Sequence, residues 1–207
     1  MLANGYPYKM LEDVTPVAIT SSTNASPIVI TATAHGYATG DQVQITQHTT
    51  NTSANGTWKV TKVTDNTYSL TENVITGVIS NGVGVGGATG QCYAAPKFVF
   101  ASDFKSIQHE VNTASSANVT IKVVASNQEE YPDFAQIQSK DNRYDYVQLM
   151  ESADGNPKNG DKGIEVAATD INKSYEQNHN KSRWVSVILE DYVAGSVNII
   201  TTVYSNQ

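Results

Sequence analysis

The chain has 207 residues, a formal net charge of −7 at pH 7 and a sequence pI near 5.0. Its 13 Lys and Arg residues form no basic run, so the charge that neutralises a phosphate backbone is missing and no nucleic-acid partner is expected. A single cysteine excludes an intrachain disulfide and a cysteine zinc site, and no run approaches the roughly 18 apolar residues of a membrane span, so no membrane partner is expected.

Charged residues make up 16% of the chain, below the roughly 25% of an ordinary soluble domain, and Thr, Ser, Asn and Gln supply the polar surface instead. Thr suits a pleated surface and Asn suits turns, so the composition fits β-structure with long loops. Met1–Tyr8 lacks the basic and apolar regions of a signal peptide, which predicts synthesis in a cytoplasm without secretion. The Asn-x-Ser/Thr triplets at Asn51, Asn55, Asn118, Asn172 and Asn180 then read as products of composition rather than glycan acceptors.

Residues 1–14 carry aromatics and prolines without a period and read as an extended N-terminal arm, since Pro7 and Pro16 discourage helix. Tyr6, Tyr8, Met10 and Leu11 are costly to leave in water. They either pack on their own domain or clamp a neighbouring subunit, and the second option marks them as assembly residues. Residues 15–91 form the first module, with strands predicted at Val17–Thr20, Ile28–Ala32, Gln42–Thr46, Gly56–Val63 and Thr67–Thr71. Short apolar runs separated by turn residues at regular spacing predict a small antiparallel β-barrel. Gly36 and Gly40 supply positive φ in the turn before Gln42, and Asp65-Asn66 forms a tight hairpin in which Asn66 tolerates the left-handed region.

Gly77–Gly90 superficially resembles a phosphate-cradling loop, but no helix follows and no Gly-Lys-Ser/Thr triplet is present. It reads as a flexible hairpin and linker. Residues 92–207 form the second module, with Cys92 a small buried residue near its first strand. Its runs are Lys97–Phe100, Ser106–Val111, Asn118–Ala125, Tyr144–Leu149, Gly163–Val166, Trp184–Leu189 and Val197–Val203. Val119, Ile121 and Val123 alternate with polar residues, whereas Trp184–Leu189 is apolar at both parities and so predicts a central, doubly covered strand. The strands predict a jelly-roll-like β-sandwich; Asp133–Ser139 is allowed a single helical turn.

Chemistry-bearing patterns are scarce. His35, His48, His109 and His179 lack metal-ligand spacing, and His35 suits a backbone hydrogen bond in its turn. Asp154–Asp161 alternates oxygen side chains like a calcium loop but lacks the downstream Glu and contains Lys158. Glu129, Asp133 and Asp145 are the acids from which a glycosidase pair would be assembled, and no nucleophile elbow exists. No catalytic residue, metal or cofactor is expected. Tyr131, Tyr144 and Tyr175 are expected beside loops as binding surfaces, as are Tyr146 and Tyr192, because tyrosine among Asn and Gln suits carbohydrate or protein contact.

One motif set is specific. Ala34-His35-Gly36-Tyr37-x-x-Gly40-Asp41-x-Val43-x-Ile45, then Asn55-Gly56-Thr57-Trp58-x-Val60, then Asn66-Thr67-Tyr68-Ser69-Leu70 resembles a small β-barrel repeat of tailed-bacteriophage virion proteins. That repeat is named after the first catalytic-cysteine half-domain of ubiquitin-activating enzymes; Cys92 lies outside the matching positions, so no ubiquitin chemistry is implied. Ser116–Val123, Pro132-Asp133-Phe134 and Asp154-Gly155 also resemble the C-terminal β-domain of phage structural proteins. The resemblance implies a non-enzymatic virion component in multiple copies, a tail or baseplate accessory or a capsid decoration, with other virion proteins as partners. A receptor- or carbohydrate-binding module facing a host surface glycan is the alternative.

Overall fold

The structure, a computed structural model, describes residues 5–84, 86–136, 138–177 and 181–205. His179 and Asn180 lie outside them. The protein is all-β, 53% strand and 2% helical, and built from antiparallel sheets that include a curled half-barrel. Its strands are β1 (Gly5–Val14), β2 (Val17–Ala18), β3 (Ser21–Ser22), β4 (Val29–Thr31), β5 (Gln42–Thr46), β6 (Gly56–Thr64), β7 (Thr67–Asn73) and β8 (Gln91–Ala94). After these come β9 (Val99–Phe100), β10 (Ser106–Ser126), β11 (Asp145–Tyr146), β12 (Leu149–Glu151), β13 (Pro157–Lys158), β14 (Ile164–Val166), β15 (Asn172–Gln177) and β16 (Trp184–Tyr204).

The chain divides into two units, and their borders differ from the expected 1–14, 15–91 and 92–207. The half-barrel unit is Pro16–Ala95 with Asp133–Ile137; the other is Met1–Thr15, Pro96–Pro132 and Gln138–Gln207. The described part of the N-terminal segment, expected as an extended arm, is a strand of its own unit. It is β1, paired with β16 from Gly5↔Tyr204 to Val14↔Val197, and it buries Met10 and Leu11 in its own unit. Two register shifts and Pro7 hide its period of two from the sequence.

The half-barrel is a seven-stranded sheet in the order β2-β8-β5-β6-β7-β4-β3. Its edge strands, β2 and β3, are consecutive pieces of one segment, so the sheet curls until a single stretch of chain occupies both edges. Alternation fills its interior: Ile28, Ile30, Val43, Ile45, Val60, Tyr68, Leu70 and Cys92 are buried together with Trp58. Cys92 and Tyr93 thus belong to the half-barrel, because β8 pairs with β5 through Ile45↔Cys92. Gly36 and Gly40 take φ of 74° and 98°, as their turn requires. Asn66 does not take a left-handed conformation; the hairpin works through a register shift between Lys62 and Thr64 instead. Its side-chain oxygen accepts Ala34 N–H at 2.8 Å, and its carbonyl accepts Ala32 N–H at 2.9 Å.

Gly77–Gly90 is not a loose linker. Gly82 and Gly86 donate backbone bonds to Ala25 and Ser22, and a Cβ on Gly84 would stand 2.3 Å from the Thr50 carbonyl oxygen. Glycine is needed there for close backbone approach. Where Asp133–Ser139 is allowed a helical turn, the described residues Asp133–Gln136 make a turn closed by Gln136 N–H on the Asp133 carbonyl at 3.2 Å.

In the other unit the expected sandwich comes from two 21-residue strands, β10 and β16, each spanning two of the expected runs. They pair from Ser106↔Tyr204 to Ser126↔Trp184, and β9 pairs Phe100 with Trp184. The stretch from Phe100 to Ser106 reaches at most about 22 Å. A straight strand from Trp184 to Tyr204 would run about 66 Å. Both long strands must therefore fold back, and the crease lies where register shifts separate Ala114, Asn118 and Thr120. Ser115, Ser116, Asp191 and Gly195 all have positive φ at that crease. One leaf then carries β1, β15, β12 and β13, and the other carries β9, β14 and β11. Ile107, Val111, Ile121, Val123, Val187, Leu189, Ile199 and Val203 are buried, as are Ser186 and Ile188 on the opposite parity of β16.

Candidate functional site

Chemically suggestive side chains in the half-barrel are consumed by structure. His35 Nδ1 accepts the Tyr37 N–H at 3.0 Å, which places the ring proton on Nε2, 3.1 Å from the Thr64 carbonyl. The ring stacks on Tyr37 and meets Tyr68 edge-on, so it braces the glycine turn. His48 Nε2 lies 2.9 Å from Ser22 Oγ, a serine–histidine pair absent from the sequence reading because the two residues are 26 positions apart. Both are buried, Nδ1 faces Thr89 Oγ1 rather than a carboxylate, and burial lowers the His48 pKa. Burial also pushes the Cys92 thiol up to about 11, away from nucleophilic chemistry.

Asp133, expected as a loop acid, is buried. Oδ2 accepts Thr57 N–H at 3.0 Å and Asn73 Nδ2 at 2.9 Å, while Oδ1 accepts Thr57 Oγ1 at 3.2 Å and Ala135 N–H at 3.1 Å. The Asp154 loop is an Asx turn: Oδ1 accepts Asn156 N–H at 2.9 Å, and that bond is the main reason its carboxyl sits below the usual range. Among the described residues no group of three or more His, Cys, Asp or Glu is placed to hold a metal. Among the described residues no helix is long and apolar enough to cross a membrane.

The tyrosines expected as binding residues separate. Tyr175 is only 1% exposed; it stands opposite His109 on β15, and burial raises its hydroxyl to about 12, so it is a core residue. The short polar strand Asn172–Gln177 has only Tyr175 and Gln177 pointing inward, too little apolar signal to be seen in sequence. Tyr6 and Tyr8 are exposed at 50% and 39% on β1, whereas Met10 and Leu11 are buried beside them.

Tyr144 marks a concave region of the β10/β16 unit, whereas Tyr131 packs against Phe98 and Trp184. Tyr144 lines a hollow of ≈ 550 Å³ with Gln148, Lys181, Arg143, Asp145 and the end of β10. Asn127, Lys181 and Ser182 also line an adjoining hollow of ≈ 450 Å³, which Phe100, Ser102 and Arg183 complete. Several described residues of these walls are tied by polar groups. Arg183 N–H bonds to Ser126 O at 2.9 Å and Asn127 Oδ1 at 3.0 Å. Gln128 Oε1 accepts Arg143 N–H at 2.6 Å, its Nε2 donates to Asp141 O at 3.1 Å, and Trp184 Nε1 donates to Gln128 O at 3.1 Å.

Beside the hollows stands an aromatic cluster that the sequence does not announce. Phe98 and Tyr131 lie 4.0 Å apart between centroids, and Trp184 meets Phe98, Phe100 and Tyr131 edge-on at 5.4, 5.0 and 5.5 Å. Phe98 and Phe100 remain 46% and 43% exposed, and Arg183 lies over the Phe100 ring at 5.6 Å. Among the described residues Asp145 is the only carboxylate lining either hollow, so those residues do not assemble the paired acids of glycoside cleavage there. What the arrangement can do is bind: it offers aromatic faces, amides and cations around a concave, loop-locked surface. The chain matches no protein-family model, no curated protein and no solved structure.

Proposed function

We propose that the chain is a non-enzymatic structural component of a tailed-bacteriophage virion, present in multiple copies as a tail or baseplate accessory or a capsid decoration. The observation that carries this reading is how the half-barrel spends its signature residues. His35, Tyr37, Gly36 and Gly40 form the corner, Asp41 Oδ2 accepts Ala38 N–H at 2.9 Å to close it, and Val43, Ile45, Trp58, Val60, Tyr68 and Leu70 fill the interior. A motif whose own side chains go into a corner and an interior suits a rigid architectural part. Tyr6 and Tyr8, exposed on an edge strand, offer apolar surface to other virion proteins. Quantitative mass spectrometry of purified particles tests the proposal: a fixed multiple of copies per particle is expected, and absence from particles overturns it.

A second reading, a receptor- or carbohydrate-binding module at the particle periphery, is favoured by the aromatic cluster beside the two hollows. A glycan array probed with the full chain separates the two, since a purely architectural part retains no sugar.

A further inference from the structure

We infer that the hollow walled by Tyr144 and Lys181 binds an acidic oligosaccharide, with the sugar's carboxylate held by Arg143 and Lys181. The inference deepens the carbohydrate-binding reading and rests on it. Its basis is a census of charge. The chain has 13 Lys and Arg residues, and among the described residues Lys9, Lys59, Lys62, Lys122, Lys140, Lys158 and Lys173 stand in ion pairs. The remaining cations are Lys97, Lys105, Arg143, Lys162, Lys181 and Arg183. Half of them, Arg143, Lys181 and Arg183, gather on these two adjoining hollows, against Asp145 alone. In a chain of net charge −7, a locally cationic concavity attracts anions that the net negative remainder of the chain repels.

Two further observations separate a sugar from a simple anion. Arg183 Nε is buried with no hydrogen-bond partner, and the guanidinium lies over the half-exposed Phe100 ring at 5.6 Å, a cation beside a flat apolar face. Gln148 is exposed at the wall, and Ala125, Val147 and Tyr144 line the same hollow. Saccharides need this mixture: amide and carboxylate partners for hydroxyls, and a flat apolar face for ring C–H groups. The volume of ≈ 550 Å³ lies in the usual range for a ligand site. The backbone at Arg143 and Arg183 is already fixed by the side chains of Gln128 and Asn127, so binding need not order those two positions.

The test is calorimetric titration of the full chain with tetragalacturonate, maltotetraose and sulfate, at low and at physiological salt. Tetragalacturonate is expected to bind about tenfold more tightly than maltotetraose, with the margin shrinking as salt rises. Arg143→Ala with Lys181→Ala is expected to remove that margin. Both side chains are exposed, so the melting temperature should not move. Equal binding of the two tetramers overturns the acidic preference and leaves the carbohydrate reading intact. Binding of neither overturns both. Sulfate binding as tight as tetragalacturonate overturns the inference in favour of a plain anion site, and a double variant that keeps the margin overturns the assignment to these cations.

Discussion

The carboxylate of Asp133 accepts the backbone N–H of Thr57 at 3.0 Å across 76 positions of sequence. Donors from Thr57 (its N–H and its hydroxyl), Asn73 and Ala135 converge on its two oxygens. Replacing it with Asn keeps the shape but turns one acceptor into a donor facing donors. Charge-assisted bonds to buried groups are each worth about 1.5–3 kcal/mol, so Asp133→Asn should cost about 3 kcal/mol. Urea denaturation monitored by tryptophan fluorescence checks this, and a midpoint shift below about 0.3 M would overturn the role assigned to the carboxylate.

His109 gives the sandwich a pH-dependent stability. The ring is fully buried, Nδ1 lies 2.9 Å from Thr201 Oγ1, Nε2 has no partner, and burial lowers its pKa from 6.5 to about 4. The unfolded chain therefore binds the proton more readily than the folded one. This contribution is complete above pH 6.5 and is lost as pH falls toward 4. At about 1.4 kcal/mol per pH unit, the loss is on the order of 3 kcal/mol. Chemical denaturation at pH 7 and pH 4.5 should show the slope in the native chain and a flatter one in His109→Leu. Equal slopes would show that other groups carry it.

Much of the half-barrel is legible because its determinants are local. Gly36, Gly40 and the alternation of Gln42–Thr46 sit in consecutive residues, and the observed β5 has the expected bounds. The crease of β10 and β16 is harder to see: Ser115 and Ser116 look like a loop between two strands, yet hydrogen bonding continues on both sides of them. Ser106–Val111 and Asn118–Ala125 were therefore legible as strands but not as one strand. The candidate site is least legible. Tyr131 and Tyr144 carry a local signal, but which lysines lack an acid partner is decided by the tertiary fold, so nothing in the sequence distinguishes Lys181 from Lys173.

The crease itself should tolerate no side chain at Gly195. Its φ is +89°, and a Cβ there would lie 2.4 Å from the Ala117 Cα and 2.7 Å from the Ala114 carbonyl oxygen. Gly36 has a similar φ of +74° with nothing within 4 Å. Conformational strain alone costs about 1 kcal/mol, so Gly36→Ala should lose about that much. Gly195→Ala adds an overpacking cost of about 1–3 kcal/mol. Thermal melts of the two variants should differ in this order, and equal losses would mean that the backbone at the crease yields.

Residues expected to act together in an N-terminal arm should respond in opposite ways. Met10 is 2% exposed against its own sheet, and its truncation to Ala should cost about 2–4 kcal/mol through lost burial and a cavity. Tyr8 is 39% exposed on the same strand, so Tyr8→Ser should change stability by no more than about 0.5 kcal/mol. Combined with Tyr6→Ser, it removes apolar area available to a neighbour, at about 25 cal/mol per Å². Particles assembled with the Tyr6→Ser, Tyr8→Ser variant should therefore carry fewer copies of a normally folded chain. Full incorporation of that variant would place the contact surface elsewhere on the molecule, because β1 would then serve only its own sheet.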